Sequence, residues 1–529
     1  MRDTFSYCSR GPTPARLSHC DHTPRRSRWR ARPRAAACVI GVLMQVTCGG
    51  SEQGSDARPE EAPSSPTVVE TSAPAGALAS TPQAARGSAE SRSVRAFTGS
   101  RTRVVWVQGD GTDPYAAGDA LQLMGLDTDE GSGERVILRE RRSYVKPMFT
   151  SGGERIVFSR RPTAPGGARA FVVNWDGSSL RELAAGFALT VWQNPSDGRD
   201  WVYLGTDPPK DSAYDFHTVV RFPLDQPEAR EQVWNRTLVS GDTFQVSADG
   251  RAAGGLFPWP KAGVADLVKG ELQTMGEGCW TALRDAGNRL FWYFDGAHRN
   301  LLMVDVSANR RWTVPINQAP GFEDPEVYHP RWTNHPRFLA MSGPYNQGGP
   351  NQVRSGGKQS EIYLGRFSRD YSRVDEWARV TTNGGGDSYP DVWIDRTGSP
   401  HPVEIAPPSQ QATSEGTAPG RVVVEARLAS AMDIPAPRSL APYRHALVVN
   451  VYDVVKVLEG QYEHPQVRAA QWAIRDMQIL PEARARQTGT VARLVLERYD
   501  ARPELEGERL IAPGGVSRLP LYYDVESLR

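Results

Sequence analysis

The segment TVWQNPSDGRDWVYLG, residues 190–205, carries the pattern that decides the predicted fold. An apolar pair with an aromatic residue, Val191-Trp192, leads into a polar turn, and a second apolar run comes after that turn. The turn contains Asp197-Gly198, a pair that readily adopts the positive φ needed for a tight connection between antiparallel strands. We therefore predict a β-hairpin over this segment.

The same pattern occurs six times between residues 147 and 405. The other copies are PMFTSGGERIVFS (147–159), DTFQVSADGRAAGGLF (242–257), CWTALRDAGNRLFWYF (279–294), PRWTNHPRFLAMS (330–342) and PDVWIDRTGSPHPVEI (390–405). Their aromatic positions lie 36 to 61 residues apart and are Phe149, Trp192, Phe244, Trp280, Trp332 and Trp393. Repeats of this length are typical of propellers whose blades contain four strands joined by loops of variable length.

The segments between and around these hairpins supply the remaining strands. Residues 170–183, 300–314 and 360–381 each contain two more strand patterns, so a blade is predicted to have four strands. The last hairpin, 390–405, has no outer strands after it, and the first strand patterns, 102–108 and 119–127, have no hairpin before them. If these two ends share one blade, the chain forms a closed, six-bladed all-β ring with no open sheet edge.

Two of the turns carry a resemblance to a known family. Residues 194–199, NPSDGR, and 246–251, VSADGR, resemble the propeller repeat of the TolB type, also called WD40-like or PD40. The resemblance spans about 300 residues, which sets the predicted propeller at 99–405. It implies an architecture and no particular function, because propellers serve as enzymes, docking platforms and receptors.

A second domain is predicted after a linker rich in Pro, Ser, Gly and Thr at residues 406–420. Five segments of residues 421–529 alternate or run apolar in the manner of strands, namely 421–429, 445–460, 467–476, 491–500 and 519–525. Five strands in about 110 residues indicate a small β-barrel or sandwich, and an OB-type barrel is one candidate.

The N-terminal segment, residues 1–47, has the features of a secretory signal. Residues 25–34, RRSRWRARPR, are strongly basic, and the apolar run AAACVIGVLMQVT extends from there to Cys48. This run is too short to cross a bilayer as a helix. Cys48-Gly49-Gly50 resembles a bacterial lipoprotein site, which implies lipidation of Cys48; an ordinary signal cut near Thr47 is the alternative.

Residues 48–98 are predicted to be a disordered tether, because this segment has no apolar period and lacks aromatics until Phe97. The signal, the cysteine and the tether together predict export across the inner membrane and a lipid-anchored location in a bacterial cell envelope. Contact with the membrane is expected through the lipid alone.

Composition and motifs exclude several functions. From Cys48 onward the chain has 53 basic and 59 acidic side chains, so nucleic acid is not an expected partner. No Gly-x-Ser-x-Gly elbow, P-loop, dinucleotide fingerprint, Cys-x-x-Cys or His-Glu-x-x-His motif is present, and we expect no cofactor. Cys279 is the one cysteine of the predicted domains, and a buried apolar role is expected for it.

The segment EVYHPRWTNHPRFLAM, residues 326–341, holds two histidines that do not form a pair in the predicted hairpin. His329 is placed before the inner strand and His335 in the turn, and six residues of strand separate them by about 20 Å. Zinc–nitrogen bonds are only about 2 Å long, so the two rings cannot share one ion. No metal site is predicted.

Residues just before the inner strands converge on one mouth of the propeller channel. The candidate ligand-binding residues there are Asp242, Glu277, His329, Asp387 and Tyr389, together with Lys146. A rim of carboxylates and aromatic rings suits a cation, a sugar or a peptide end. We therefore expect a non-catalytic binding or scaffolding module for an envelope protein or glycan.

The alternative is an enzyme acting on polysaccharide, a lyase or a hydrolase, at the channel mouth. His217 and His298, on other loops, keep a resemblance to propeller polysaccharide lyases open, because those enzymes bind a metal through several histidines.

Overall fold

The structure is a computed structural model that describes residues 88–528, apart from residues 114–115, 162–166, 211, 213, 286–288, 323–325, 346–356, 398–419 and 514–518. The signal segment with Cys48, residues 48–87 of the tether, residues 398–405 of the last hairpin and residues 406–419 of the linker therefore lie outside the described residues. Within the described ranges, no helix combines the length and the apolar character that a membrane crossing requires.

Twenty-four of the strands form six sheets of four, which are the blades of a propeller. The propeller begins with three strands, β1 (Thr102–Gln108), β2 (Leu121–Asp127) and β3 (Glu134–Arg142). The next two blades contain β4 (Val145–Phe149), β5 (Arg155–Arg160), β6 (Arg169–Asn174) and β7 (Arg181–Ala185), then β8 (Phe187–Gln193), β9 (Asp200–Thr206), β11 (Thr218–Pro223) and β12 (Glu231–Trp234). Two short strands, β10 (Asp215–Phe216) and β13 (Val239–Ser240), pair with each other beside the second of these blades.

Three more blades and one final strand complete the ring. They contain β14 (Gln245–Val246), β15 (Ala252–Leu256), β16 (Lys261–Asp266) and β17 (Glu271–Glu277); β18 (Cys279–Asp285), β19 (Arg289–Phe294), β20 (Asn300–Asp305) and β21 (Arg310–Pro315); and β22 (Glu326–Trp332), β23 (Phe338–Tyr345), β24 (Glu361–Phe367) and β25 (Val374–Arg379). The last propeller strand is β26 (Asp387–Ile394), and it pairs with β1. The predicted closed, six-bladed ring is confirmed.

The closing blade divides its strands differently from the prediction. A hairpin at 390–405 was expected to share a blade with two N-terminal strands. In the structure, β26 shares its blade with three, in the order β26-β1-β2-β3. The segment 134–142 provides the fourth strand because Ile137 and Leu138 are buried against the sheet, although its last four residues are exposed. That burial pattern is irregular, which explains why the strand was not predicted.

The Asp-Gly turns behave as their sequence indicates. Gly198 and Gly250 have φ of +70° and +73°, the left-handed values that favour glycine. At Gly250 a methyl group would also come within 2.6 Å of the Trp192 ring, so the turn of one blade packs against the inner strand of the blade before it. The repeated turn is therefore also a contact between blades.

Helix α1 (Ala89–Thr98) occupies the last ten residues of the segment predicted to be a disordered tether. Ser88 caps it, since the Ser88 side chain accepts a hydrogen bond from the Ser91 amide, and Gly99 ends it at φ +76°. Its buried residues Val94 and Phe97 pack into an apolar cluster with Trp106 and Phe338. Two apolar residues are too few for a visible period, and the propeller surface supplies the partner that makes the helix stable.

The C-terminal domain is a closed, five-stranded barrel, which is one of the two predicted alternatives. Its strands are β27 (Val422–Ser430), β28 (Ala446–Glu459), β29 (Gln466–Arg475), β31 (Val491–Arg498) and β33 (Leu521–Asp524), with β30 (Gln478–Ile479), β32 (Arg509–Ile511) and the short helix α2 (Pro481–Ala485) attached to them. The first strand pairs with the second and fourth, and the third pairs with the second and fifth. The third and fifth run parallel and the fifth also pairs with the fourth, which closes a Greek-key barrel of the OB type.

Candidate functional site

Four inner strands share a local distortion that directs one side chain each towards the central channel. Lys146, Trp280, His329 and Tyr389 have φ of +53°, +48°, +51° and +52°. Each lies where the pairing of β4, β18, β22 or β26 with its neighbour is interrupted by a bulge. A bulge re-aims a side chain without ending the strand, and strained backbone at residues other than glycine clusters at active sites and ligand clamps.

Three of these side chains fill the channel. The His329 ring lies 4.0 Å from the Tyr389 ring and 5.0 Å from the Trp280 ring, measured between centroids. The His329 Nδ1 atom lies 2.9 Å from Ser342 Oγ and accepts a hydrogen bond from the Tyr389 amide. The cavity that remains in the channel has a volume of about 20 Å³, which fits a water molecule and excludes a sugar ring.

The structure therefore places His329 and Tyr389 deeper than the sequence predicted. Both were expected just before an inner strand, but β22 and β26 begin three and two residues earlier, at Glu326 and Asp387. His329 is 3% exposed and is one of the side chains that fill the channel. His335 lies in the turn between β22 and β23, as predicted, where its Nδ1 accepts a hydrogen bond from the Arg337 amide.

Lys146 is the fourth member of this ring, and its ammonium group is fully enclosed. Its Nζ donates to the carbonyl oxygens of Leu189 and Gly241, at 2.6 and 3.0 Å. Burial lowers the pKa of Lys146 to about 7, and the nearby Arg331 acts in the same direction, whereas Asp242 and Asp391 act against it. The charge of this lysine is therefore only partly present at neutral pH.

A larger cavity lies at the mouth of the channel, between the propeller and the barrel. Its volume is about 200 Å³. It is lined by five aromatic residues, by hydroxyl groups and by two carboxylates, namely Tyr214, Trp259, Trp280, Tyr328, Tyr443, Ser212, Ser240, Thr243, Asp215 and Asp242, together with Gly241, Leu256, Cys279 and Pro442. We call it the mouth cavity.

Asp242 connects the mouth cavity to the channel, because it lines both. Its Oδ1 atom is buried and has no hydrogen-bond partner among the described residues. The second carboxylate, Asp215, differs in that its two oxygens accept hydrogen bonds from Ser240 Oγ at 2.6 Å and Ser212 Oγ at 2.8 Å. A buried carboxylate oxygen without a donor is costly, so Asp242 is the group in this cavity best suited to a ligand.

The barrel covers the mouth by inserting Arg509, which is fully buried, into the propeller. The Arg509 Nη2 atom donates to both oxygens of Glu326, at 2.6 and 2.8 Å, and Nη1 donates to the carbonyl of Gly296. Burial raises the pKa of Glu326, but the attraction of Arg509 outweighs it and holds that pKa below the ordinary value. The ion pair therefore fixes the barrel to the start of β22.

Three further polar side chains meet beneath this ion pair. The Tyr443 hydroxyl of the barrel lies 2.7 Å from Cys279 Sγ and 3.2 Å from His298 Nε2, and Sγ lies 3.4 Å from Nε2. The other ring nitrogen of His298, Nδ1, lies 3.4 Å from Glu326 Oε2. Burial lowers the pKa of His298 to about 4, so its imidazole is neutral at neutral pH.

Two predicted site residues lie elsewhere. Glu277 ends the outermost strand of its blade, β17, is exposed, and touches Gly507 of the barrel. Asp387 is buried at the start of β26, where its carboxylate accepts hydrogen bonds from the side-chain amides of Gln108 and Asn383. Burial raises the pKa of Asp387 to about 7. Within the described part of the chain, no three His, Cys, Asp or Glu residues are arranged to hold a metal ion.

The sequence pattern did not indicate His298, Glu326, Tyr443 and Arg509 as a group, because the contacts that unite them cross between domains. The pattern also placed Trp280 in the aromatic row of Trp332, whereas the bulge shows that Trp280 corresponds to His329. Counting backwards from each turn, in place of aligning aromatic residues, would have found this correspondence.

No protein-family model and no curated protein matches the sequence. Similar solved structures include TolB from Acinetobacter baumannii, with 13% identity and a TM-score of 0.39 over 56% of this chain and 69% of that chain. A putative TolB from Agrobacterium tumefaciens has 8% identity and a TM-score of 0.33 over 56% of this chain and 99% of that chain.

An oligogalacturonate lyase in complex with manganese is also similar, with 14% identity and a TM-score of 0.28 over 45% of this chain and 65% of that chain. At such identities a likeness concerns the fold alone. The six-bladed architecture implied by the TolB-like turns 194–199 and 246–251 is confirmed by the sheet topology.

Proposed function

We propose that this protein is a ligand-binding protein of the bacterial cell envelope, and that its mouth cavity receives an ammonium group carried by a glycan or by a peptide end. The observation that carries the proposal is the buried Oδ1 atom of Asp242, which has no hydrogen-bond partner in the described part of the chain. An ammonium group supplies both a hydrogen-bond donor and the opposite charge. A ligand of this class would satisfy Asp242 as no neutral apolar ligand can.

The walls of the mouth cavity suit the same ligand. Tyr214, Trp259 and Trp280 present aromatic rings to it. Such rings attract cations through their faces and also pack against the apolar face of a sugar. A volume of about 200 Å³ accommodates an end group and not a whole chain, so the ligand would enter by one terminus or one residue.

Location in the envelope is supported by the N-terminal sequence. The basic run 25–34 and the apolar run before Cys48 resemble an export signal, and the Cys48-Gly49-Gly50 segment resembles a lipidation site. A partner in that compartment would be an envelope protein or a glycan.

Calorimetry with two pairs of small probes tests the proposal. One pair is chitosan disaccharide and its N-acetylated form, and the other is a dipeptide amide and its N-acetylated form. We expect one amino probe to bind and its acetylated partner to bind at least ten-fold more weakly, because acetylation removes the charge. Asp242→Asn should weaken binding of the amino probe about ten-fold, whereas the exposed Asp433→Asn should leave it unchanged.

The sources of the ammonium group are separated by which pair binds. Amino and acetylated probes that bind equally well would contradict the proposal, as would a full affinity in Asp242→Asn. Failure of all four probes would contradict it as well.

The proposal also predicts a pH dependence. Lys146 is the cation facing Asp242, and its pKa of about 7 means that it loses its proton as the pH rises from 6 to 8. Asp391 and Arg331 also face Lys146, and they form an ion pair with each other at 3.2 Å. Binding of a lysine side-chain amine, as in N-acetyl-lysine amide, whose pKa of about 10.4 lies well above this range, should therefore strengthen as the pH rises. Titrations at pH 6, 7 and 8 check this, and Lys146→Met should remove the dependence.

A further inference from the structure

The floor of the mouth cavity contains a thiol in contact with an imidazole. Cys279 lines the cavity, and its Sγ atom lies 3.4 Å from Nε2 of His298, which is fully buried behind it. His298 has φ of +56°, so the backbone is held in a strained conformation at this ring. A nucleophile within reach of a base is the arrangement by which proteins activate cysteine.

A carboxylate lies beside the other nitrogen of the base. Nδ1 of His298 lies 3.4 Å from Oε2 of Glu326, and Arg509 holds that carboxylate in place. A carboxylate on this side favours the tautomer with hydrogen on Nδ1, which leaves Nε2 as the acceptor facing Cys279. His298 is neutral at neutral pH, so the Nε2 lone pair is available to the Sγ proton, and Glu326 raises the pKa that burial lowers.

Tyr443 adds a hydrogen-bond donor at the same point. Its hydroxyl lies 2.7 Å from Sγ and 3.2 Å from Nε2, and the residue lines the mouth cavity. Burial raises the pKa of Tyr443 well above its ordinary value, so the phenol keeps its proton. It can donate to an oxygen that becomes negative beside Sγ, and it can pass a proton between Nε2 and the cavity.

We propose that Cys279, His298 and Tyr443 form an acyl-transfer site, with Glu326 as a positioning residue, that hydrolyses esters, thioesters or amides whose acyl part carries an amino group. This goes beyond ligand binding, and only the choice of an amino-bearing acyl group rests on the proposed function. The reaction class is set by a thiol, a base and a proton donor that meet at the floor of a cavity.

The steps balance with water as the second substrate. The Sγ proton moves to His298 Nε2, and Sγ attacks the carbonyl carbon while Tyr443 donates to the carbonyl oxygen. The bond from carbon to the leaving oxygen, sulfur or nitrogen breaks, and the leaving group takes the proton of Nε2 by way of the Tyr443 hydroxyl. Water then loses a proton to Nε2 and attacks the thioester, which releases the acid and returns the proton to Sγ.

The 4-nitrophenyl esters of glycine and of acetic acid test the proposal on the purified full chain. We measure nitrophenol release, and we use peptide mapping by mass spectrometry to locate the acyl group among the five cysteines of the chain. We expect glycylated Cys279 and turnover of the glycine ester. Cys279→Ala should reduce release to the background rate, with an unfolding temperature close to that of the wild type.

Two variants separate chemistry from folding. Tyr443→Phe keeps the ring and should lower kcat about 100-fold with little change in KM, as expected for loss of a proton donor. Glu326→Gln should move the acid limb of the kcat/KM profile to lower pH, because its carboxylate raises the pKa of His298. His464→Gln, an exposed histidine of the barrel, is the matched control and should behave as the wild type.

Several results would overturn the assignment. One is an unacylated Cys279 in the folded wild type, and another is release from Cys279→Ala at the wild-type rate. A Tyr443→Phe variant that turns over normally would remove the donor role.

A different result bears on the ammonium ligand alone. If both esters acylate Cys279 equally, and Asp242→Asn leaves KM for the glycine ester unchanged, the nucleophile stands and the ammonium ligand of the proposed function is wrong.

Discussion

Glu326 and Asp387 begin the inner strands of neighbouring blades, and the two carboxylates differ in what covers them. Both are buried, at 7% and 0% exposure. Glu326 receives Arg509 from the barrel, whereas Asp387 receives the amides of Gln108 and Asn383 from its surroundings. The pKa of Glu326 is held below its usual range, and that of Asp387 is raised to about 7.

The position of a carboxylate in its blade therefore does not decide its charge. Burial opposes ionisation in both places, and amide donors offset it only in part. A guanidinium at 2.6 Å offsets it fully. Glu326 is thus ionised and tied to the barrel, whereas Asp387 gains a proton near neutral pH.

The largest expected effect comes from removing Arg509, the cation that pairs with Glu326. Arg509→Met leaves the Glu326 charge buried without its partner and should lower the free energy of unfolding by about 3–5 kcal/mol. Urea unfolding measures this. The double variant Arg509→Met with Glu326→Gln should recover most of the loss, and a double variant as unstable as the sum of the single losses would contradict the role of the ion pair.

A smaller effect is expected from a methyl group placed at the contact between the domains. The Gly296 amide donates to the carbonyl of Glu506, and a Cβ at Gly296 would collide with the Glu508 carbonyl. Gly296→Ala should therefore cost about 1–3 kcal/mol in urea unfolding. Gly152→Ala, where nothing lies within 4 Å of the added carbon, is the control, and equal losses in both would show that the clash is relieved without cost.

The raised pKa of Asp387 is tested by measuring the stability of the protein at different pH values. Because folding raises the pKa of Asp387, the stability that it contributes is present at low pH and lost as the pH rises through about 7. The side chain of the Asp387→Asn variant does not titrate. Between pH 5 and 8 the free energy of unfolding should therefore fall by on the order of 1 kcal/mol more in the wild type than in this variant. Urea titrations at these two values check it, and parallel losses would contradict the raised pKa.

The same linkage has the opposite sign at Glu326. Its folded pKa is depressed, so its contribution is present above the unfolded pKa and is lost only as the pH falls below about 4.5. The wild type should therefore lose stability at acidic pH through Glu326 and near neutral pH through Asp387, so that one protein shows both effects.

Much of the fold was predictable because its signals are local. Five of the six predicted hairpins, the closed ring and the five barrel strands arise from alternating apolar residues and from turns such as Asp249-Gly250. The strand 134–142 and the helix 89–98 were missed because neither has a clear apolar period. Each is stable only through packing against the sheet beside it.

The candidate site was predictable in place and only partly in membership. Asp242, His329 and Tyr389 do lie at or in the channel, because inner strands of a propeller run to a common axis. His329 and Tyr389 point inwards because of bulges, which leave no mark in a pattern of apolar residues. Trp280 was misplaced by three residues for the same reason.

The sequence by itself determined the architecture and the number of repeats. Short-range pattern suffices for these, since each blade and turn is specified within a few residues. Only the tertiary structure decided that Tyr443 and Arg509 reach Cys279, His298 and Glu326, over separations of up to 213 residues between hydrogen-bonded partners such as Arg509 and Gly296. The docking of one domain on another creates those contacts, and the interaction of distant side chains in a desolvated space sets their charge and their chemistry.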